Sequence, residues 1–414
     1  MTNESSVADT DDARAVSRTR VAALLLVVLA AFAVRAGALW FACDAEAWND
    51  QITYVQRAED LLDGKGYTGS YQAWVMNPGE RQARLLSRYP GAYQAPGFAA
   101  FIALVMGVAG RGEDGLMWVK LAQVALGTLT TWLVFKLGAK WYGARVGLVA
   151  AWFYALDPTF IAFTHYVFTE TLFVFLFTAG MYALVRSREL PSLAVALCTG
   201  ICFACAAYVK SSVLYLLPVL AVWFVWKHRD QRGAALRWVL AASLAWCACV
   251  APWTIRNWRV HGGLVVIDSS GPFNFWRGNQ PNAYIRRLNN SDWNVRFKAP
   301  FSAWSQAPVA EVGGNKIVEI AAERFGTTTP SDLQVMQAAN SAALDYIRED
   351  PGWSLQRACY KIVDLWNPTS FVMRHLSKKG YGEIAPALES ALAWACVLSY
   401  LLVLVFALPA LWLL

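Results

Sequence analysis

"APGFAAFIALVMGVAG" (residues 95–110) is apolar almost throughout but short. At 1.5 Å per residue, a helix of that length rises about 24 Å, less than the ~30 Å hydrocarbon core of a bilayer. Whether this stretch crosses or lies along the membrane decides the topology of everything around it. The rest of the chain leaves little doubt about its solvent. With 57% hydrophobic and 16% charged residues, 20 Trp and 21 Phe, it departs from the composition of a soluble globular domain. Runs 21–43, 116–137, 145–163, 167–186, 192–208, 211–227, 236–254 and 388–413 each approach the length and apolarity of a span. The expected fold is an all-α polytopic membrane protein with about eight transmembrane helices.

Positive charge arbitrates the short stretch, because cytoplasmic loops collect Lys and Arg. If 95–110 does not cross, four basic groups fall on the cytoplasmic side. They are the N-terminal Arg14/Arg18/Arg20 cluster, Lys136/Lys140/Arg145, Arg186/Arg188 and Lys227/Arg229/Arg232/Arg237. If it does cross, the last three groups move outside. The stretch therefore reads as a re-entrant or surface-lying helix. The first run is long for the apolar core of a signal peptide, and "LWFACDA" is a poor cleavage site, so a retained anchor is expected. The net charge of +7 is accounted for by cytoplasmic loops and calls for no nucleic-acid partner.

The expected organisation is a disordered cytoplasmic tail (1–20), a transmembrane core (21–254) holding a first outer loop (44–115), an outer segment (255–387) and a final span (388–414). The outer segment is expected to be small and mostly helical. "PSDLQVMQAANSAALDYIRED" has a capped start near Ser331 and stops before Pro351, and 353–366 has the spacing of a surface-lying helix. Cys198, Cys202, Cys205, Cys247, Cys249 and Cys396 fall in apolar runs without zinc-type spacing, and read as small packing residues.

This arrangement gathers ionisable residues at span ends on the outer face. "AEAWNDQITYVQRAEDLLDGKGY" (45–67) follows the first span, and its periodicity gives an amphipathic helix with Asp50 at its start and Tyr54 one turn on. Asp50 reads either as a helix cap or as a general base. Glu170, at the lip of "TETLFVFLF", reads as a cap or as a functional acid, since a carboxylate near the membrane is costly unless paired or wet. Lys210 in "YVKSS" and Arg256 in "PWTIRNW" are cations on the side the positive-inside rule disfavours; they either snorkel or grip a lipid phosphate. His165, Tyr166 and Arg277 are secondary candidates, while Asp157 before Pro158 reads as turn chemistry. Asp44 and Glu46 form an acidic pair with no third ligand in sight, a weak hint of a divalent metal.

Taken in order, "NDQITYVQRAEDLLDGKGY", "YQAPGFAAFIAL", "TETLFVFLF", "YVKSSVLYLLP", "PWTIRNWRVHGG" and "GPFNFWRGN" resemble the C-type (GT-C) membrane glycosyltransferases. Within them, the chain is similar to the bacterial branch related to dolichyl-phosphate-mannose–protein mannosyltransferases and aminoarabinose transferase. The resemblance covers most of residues 20–280 and implies a GT-C-like helical bundle with amphipathic outer-face helices in the first loop. It implies Asp50 as catalytic acid/base, Glu170 as a second acid, and Lys210, Arg256 and Arg277 near the donor phosphate, with Tyr54, His165, Tyr166 and Asn257 secondary.

The implied reaction moves a sugar from a polyprenyl-phosphate donor to a glycan, lipid or protein acceptor at the outer face of the cell membrane, inverting the anomeric carbon. Two cations can neutralise the leaving phosphate, so no cofactor is required and a divalent metal is unsupported. Two rivals predict differently. A transporter or flippase calls for inverted repeats with ionisable groups near the midplane, and neither is visible here. A non-catalytic subunit of the same fold would keep the bundle without the chemistry.

Overall fold

The computed structural model describes residues 4–42, 49–69, 91–186, 192–280, 315–328, 330–366, 372, 373, 376, 381 and 384–412. Among them the chain is helical, with no strand. Among the described residues, five helices are long and apolar enough to cross a membrane: Thr19–Phe41 of α1 (Glu4–Phe41), α4 (Gly112–Tyr142), α7 (Thr169–Arg186), the Arg229–His261 stretch that contains α10 (Arg232–His261), and Pro386–Leu408 of α15 (Pro386–Trp412). Shorter apolar segments are α3 (Gly97–Ala109), α5 (Ala144–Leu156), α8 (Leu193–Val209) and Ser211–Lys227, which contains α9 (Leu217–Lys227). Large apolar side chains such as Leu25, Leu29, Phe32, Leu240, Leu244 and Phe406 stand exposed, as lipid-facing residues do. The chain is an integral membrane protein.

Local chemistry explains where the helices stop. α4 turns into α5 at Gly143, whose φ of 87° suits glycine. The apolar run 145–163, expected as one span, breaks at Asp157. Its Oδ1 accepts from the Thr159 and Phe160 amides at 2.9 and 3.1 Å and caps the short α6 (Pro158–Ala162). The run 211–227 is also interrupted: a 3₁₀ turn, Ser211–Tyr215, precedes α9, and Pro218 sits in the first turn of that helix. At the N-terminus α1 starts at Glu4, so helix occupies most of the tail expected to be disordered.

Packing follows from small residues. α8 lies between α7 and α10. At Gly200 a Cβ would fall 2.2 Å from the Ala242 carbonyl oxygen, so only glycine lets these two backbones approach. Around α1, Val27 and Ala31 bury against Ala151 and Ala155 of α5. There Arg35 is fully buried, donating Nη1 to the Ala155 carbonyl and Nη2 to the Tyr154 carbonyl, both at 3.1 Å. Those carbonyls belong to the last turn of α5, where no intrahelical donor remains.

A short helix α2 (Asn49–Leu62) packs on α3 through Tyr54, Ala58, Phe98, Ile102 and Met106. α3 spans 13 residues, about 20 Å of rise, and is too short to cross unaided.

A second core lies beyond α10, where α11 (Ser270–Asn279), α12 (Asn315–Phe325) and α13 (Asp332–Glu349) bury Phe273, Trp276, Ile317, Val335 and Ala339. α13 starts as expected, with Ser331 and Gln334 forming a reciprocal capping box. α14 (Pro351–Leu365) is amphipathic. Arg357 donates to the carbonyls of Asn279 and Gln280 and Lys361 to that of Gly278, a cationic cap on the C-terminus of α11. Its opposite side leaves Leu355 and Ile362 exposed.

Candidate functional site

The start of α7 meets the end of α8 through Glu170 and Lys210. The turn before α7 meets the start of α2, where Gln51 Oε1 accepts from the Val167 amide at 3.3 Å. The end of α10 reaches the segments at Tyr67 and Gly91. Asp50 stands exposed in the first turn of α2. Its backbone carbonyl accepts from Thr53 Oγ1 at 2.8 Å. One turn on, Tyr54 is the point where the candidate charges meet. Burial is the largest effect holding its phenol well above the ordinary value, and the negative charges of Asp50 and Glu170 add to it while Arg57 opposes them. Tyr93, packed edge-on to Phe273, is raised in the same way by burial first and then by Asp50, with Arg277 and Arg57 opposing. Asp50 and Arg57 thus bear on both phenols, Glu170 on Tyr54 and Arg277 on Tyr93.

Glu170 opens α7 and accepts from Lys210 Nζ at 2.8 Å on Oε1, while Thr169 Oγ1 lies 3.2 Å from Oε2. Lys210 ends α8, and its ammonium lies 5.9 Å from the centroid of the Phe173 ring. The sequence sets Glu170 and Lys210 on one outer face but does not pair them.

Arg256 is held differently from Lys210. Nη1 donates to the Gly91 carbonyl at 2.7 Å and to Asn257 Oδ1 at 3.0 Å, and Nη2 to the Tyr67 carbonyl at 2.8 Å. Its guanidinium also lies over the Trp253 ring. Both terminal nitrogens are engaged by the protein, so the side chain works here as a clamp. Asn257 is buried and donates to the carbonyls of Val265 and Ile267, which fixes the strap that follows α10. Arg277 is exposed on α11.

His165 Nε2 lies 3.4 Å from the Tyr381 hydroxyl, and Tyr166 joins a cluster with Val372, Met373, Leu376, Ala393 and Cys396. They brace the turn before α7 against the C-terminal part of the chain. Asp44 and Glu46 lie outside the described residues; among those described, no group of three His, Cys, Asp or Glu side chains could hold a metal ion.

Three charged residues near these candidates have no assignment from sequence. Arg57, placed by periodicity but given no role, is buried and donates to the Thr68 carbonyl and to Gln94 Oε1. Asp60 is buried and accepts from Thr68 Oγ1 at 2.6 Å and from Lys65 Nζ at 3.3 Å. Asp268 accepts from the Ser270 amide at 3.1 Å and hydroxyl at 2.8 Å, and also bonds Ser211, the residue after Lys210. Burial raises its carboxyl, and these hydrogen bonds offset part of the rise. The sequence signal for Arg57 and Asp60 was their place in a 14-residue amphipathic helix otherwise facing apolar partners; Asp268 offered none.

One segment of the chain matches a family model. Residues 93–255 match the family of dolichyl-phosphate-mannose-protein mannosyltransferases. The matched segment is under half of the chain. It runs from Tyr93 to the residue before Arg256 and takes in Glu170 and Lys210, and it agrees with the resemblance to C-type membrane glycosyltransferases read from the sequence. No curated protein matches the chain. Among solved structures, the chain is similar to the Archaeoglobus fulgidus oligosaccharyltransferase in its apo form, at 12% identity over 92% of this chain and 54% of that one, with a TM-score of 0.41. The same enzyme tethered to an acceptor peptide containing the NVT sequon gives 10% identity over 92% and 53%, with a TM-score of 0.38. The chain spans about half the length of those structures.

Proposed function

We propose that this chain is an integral-membrane glycosyltransferase that moves a sugar from a polyprenyl-phosphate donor to an acceptor at the outer face of the membrane. Supporting this reading, Lys210 pairs with Glu170 at 2.8 Å, the charges of Asp50 and Glu170 bear on Tyr54, and those of Asp50 and Arg277 bear on Tyr93. The basic groups at the opposite helix ends, Lys136, Lys140, Arg145, Arg186, Lys227 and Arg232, favour those ends as cytoplasmic and the ends that carry Glu170 and Lys210 as external. Integral-membrane chemistry at a lipid headgroup needs this geometry: ionisable groups at span ends rather than at the midplane.

In the proposed reaction the acceptor hydroxyl attacks the anomeric carbon from the side opposite the phosphate. Asp50 takes the hydroxyl proton, an assistance worth about 10²–10⁴ in rate. The bond from anomeric carbon to phosphate oxygen breaks, and its electron pair leaves with the phosphate. Configuration inverts. Lys210 and Arg277 stabilise the charge that appears on the departing group. Arg256 holds the backbone of Tyr67 and Gly91 beside it. Charge stabilisation in this scheme comes from side chains, and no cofactor enters a step. The hydrocarbon tail of the donor lies along the apolar surfaces of α2 and α3.

The test is release of polyprenyl phosphate. Detergent-solubilised protein incubated with radiolabelled polyprenyl-phosphate sugars and an envelope extract is expected to yield free polyprenyl phosphate and labelled acceptor. A transporter or flippase leaves the donor intact, and that outcome refutes the proposal.

A further inference from the structure

We infer that Glu170 is the resting counter-ion of Lys210 and that the donor phosphate displaces it, an inference that rests on the donor reading above. Lys210 Nζ and Glu170 Oε1 are in contact at 2.8 Å, and the two side chains keep 33% and 28% of their surface exposed. The pair is partly buried but reachable from water, which screens it and lets the ammonium exchange partners. Glu170 does not depend on Lys210 to stay in place. It lies in the first turn of α7, where the helix dipole favours a negative charge, and its second oxygen lies beside the Thr169 hydroxyl. The ammonium is thus the member free to change partner, pivoting at the end of α8 above the Phe173 ring.

While it is paired, Lys210 offers an incoming anion little net charge. A phosphodiester donor carries one negative charge, and breaking the bond to the sugar leaves a phosphate monoester able to carry two. The pull of Lys210 on the phosphate therefore grows as the bond breaks, and the ammonium leaves Glu170 for the phosphate. After transfer, Glu170 competes for Lys210 again and helps release the product. This role differs from that of a second catalytic acid: Glu170 touches Lys210, not the reacting atoms.

The experiment measures equilibrium binding of polyprenyl phosphate and steady-state turnover on the full chain purified in detergent. Glu170→Gln keeps the size and an acceptor oxygen but removes the charge. It is expected to bind polyprenyl phosphate about two- to five-fold more tightly, the worth of one partly exposed ion pair, and to turn over more slowly. Glu170→Asp retains the charge and is expected to stay near the parent in affinity, and the pair Glu170→Gln with Lys210→Gln loses the gain. Circular dichroism and gel filtration identify any variant that fails to fold. Unchanged or weaker binding by a folded Glu170→Gln variant, with the parent binding normally, overturns the counter-ion role alone. No binding by the folded parent overturns the donor reading and this inference with it.

Discussion

Arg256 reaches across the fold to Tyr67: Nη2 donates to the Tyr67 carbonyl at 2.8 Å while Nη1 donates to the Gly91 carbonyl at 2.7 Å. One guanidinium thereby joins two backbone segments that also bond directly, the Gly91 amide donating to the Tyr67 carbonyl at 3.2 Å. Gly91 has no room for a side chain here, since a Cβ would fall 2.1 Å from the Gly69 carbonyl oxygen.

Replacing Arg256 should release this clamp. Each charge-assisted hydrogen bond is worth about 1.5–3 kcal/mol, so Arg256→Gln is expected to open the Tyr67–Gly91 pairing locally. Hydrogen exchange at the Gly91 amide should accelerate, with transfer activity falling in parallel. Arg256→Lys should recover little, because a point ammonium cannot fork to two carbonyls. Full rescue by Lys would show that charge alone is needed.

Arg35 should matter for stability instead. It sits in a predicted span yet is fully buried, with Nη1 and Nη2 on the last carbonyls of α5. Arg35→Leu removes a buried cation but leaves those carbonyls without a donor, at about 1–3 kcal/mol each. The variant should show a clearly lower thermal midpoint in detergent. Gly127→Ala should produce a related loss, because its Cβ would fall 2.8 Å from Arg35 Nε. An unchanged midpoint for both variants would remove Arg35 from the packing account.

Asp268 should leave a mark on the pH dependence of stability. Burial raises its carboxyl above the unfolded value of ~3.9, so the folded state holds this proton more tightly than the unfolded chain. As pH rises from the unfolded value through the raised folded value, the group loses stability for the protein, and the penalty is complete above the latter. Asp268→Asn cannot ionise. Its thermal midpoint relative to the parent should therefore be most favourable at neutral pH and lose that advantage as pH falls toward 4. A constant difference across pH 4–8 would contradict the burial argument.

Much of this arrangement was legible in the residues, and the limits follow from range. Local signals held. The Ser331 cap and Gln334 mark the start of α13, the periodicity from Asp50 to Leu62 gives α2, and the poor length of 95–110 gives a helix of 13 residues. Apolarity without attention to punctuation failed. Run 211–227 reads as continuous because its hydropathy is, but Pro218 sets a new helix start inside it. Run 145–163 reads as one span through Asp157–Pro158, although that pair itself reads as turn chemistry and does start a new helix. At the site, residue types at span ends pointed to Asp50, Glu170, Lys210 and Arg256. What they touch was not legible, since Lys210 finds Glu170 40 residues away and Arg256 finds Tyr67 189 residues away. Arg57, Asp60 and Asp268 were hidden for the same reason: a buried charge looks like any other until its partners are in place.

Asp50 is the proposed base, and turnover of the Asp50→Asn variant tests that role most directly. The substitution preserves shape on an exposed first turn of α2 and should leave folding intact. Sugar transfer by the purified variant is predicted to fall at least about 10²-fold while polyprenyl-phosphate binding remains at the parent level. Transfer at the parent rate would contradict the account.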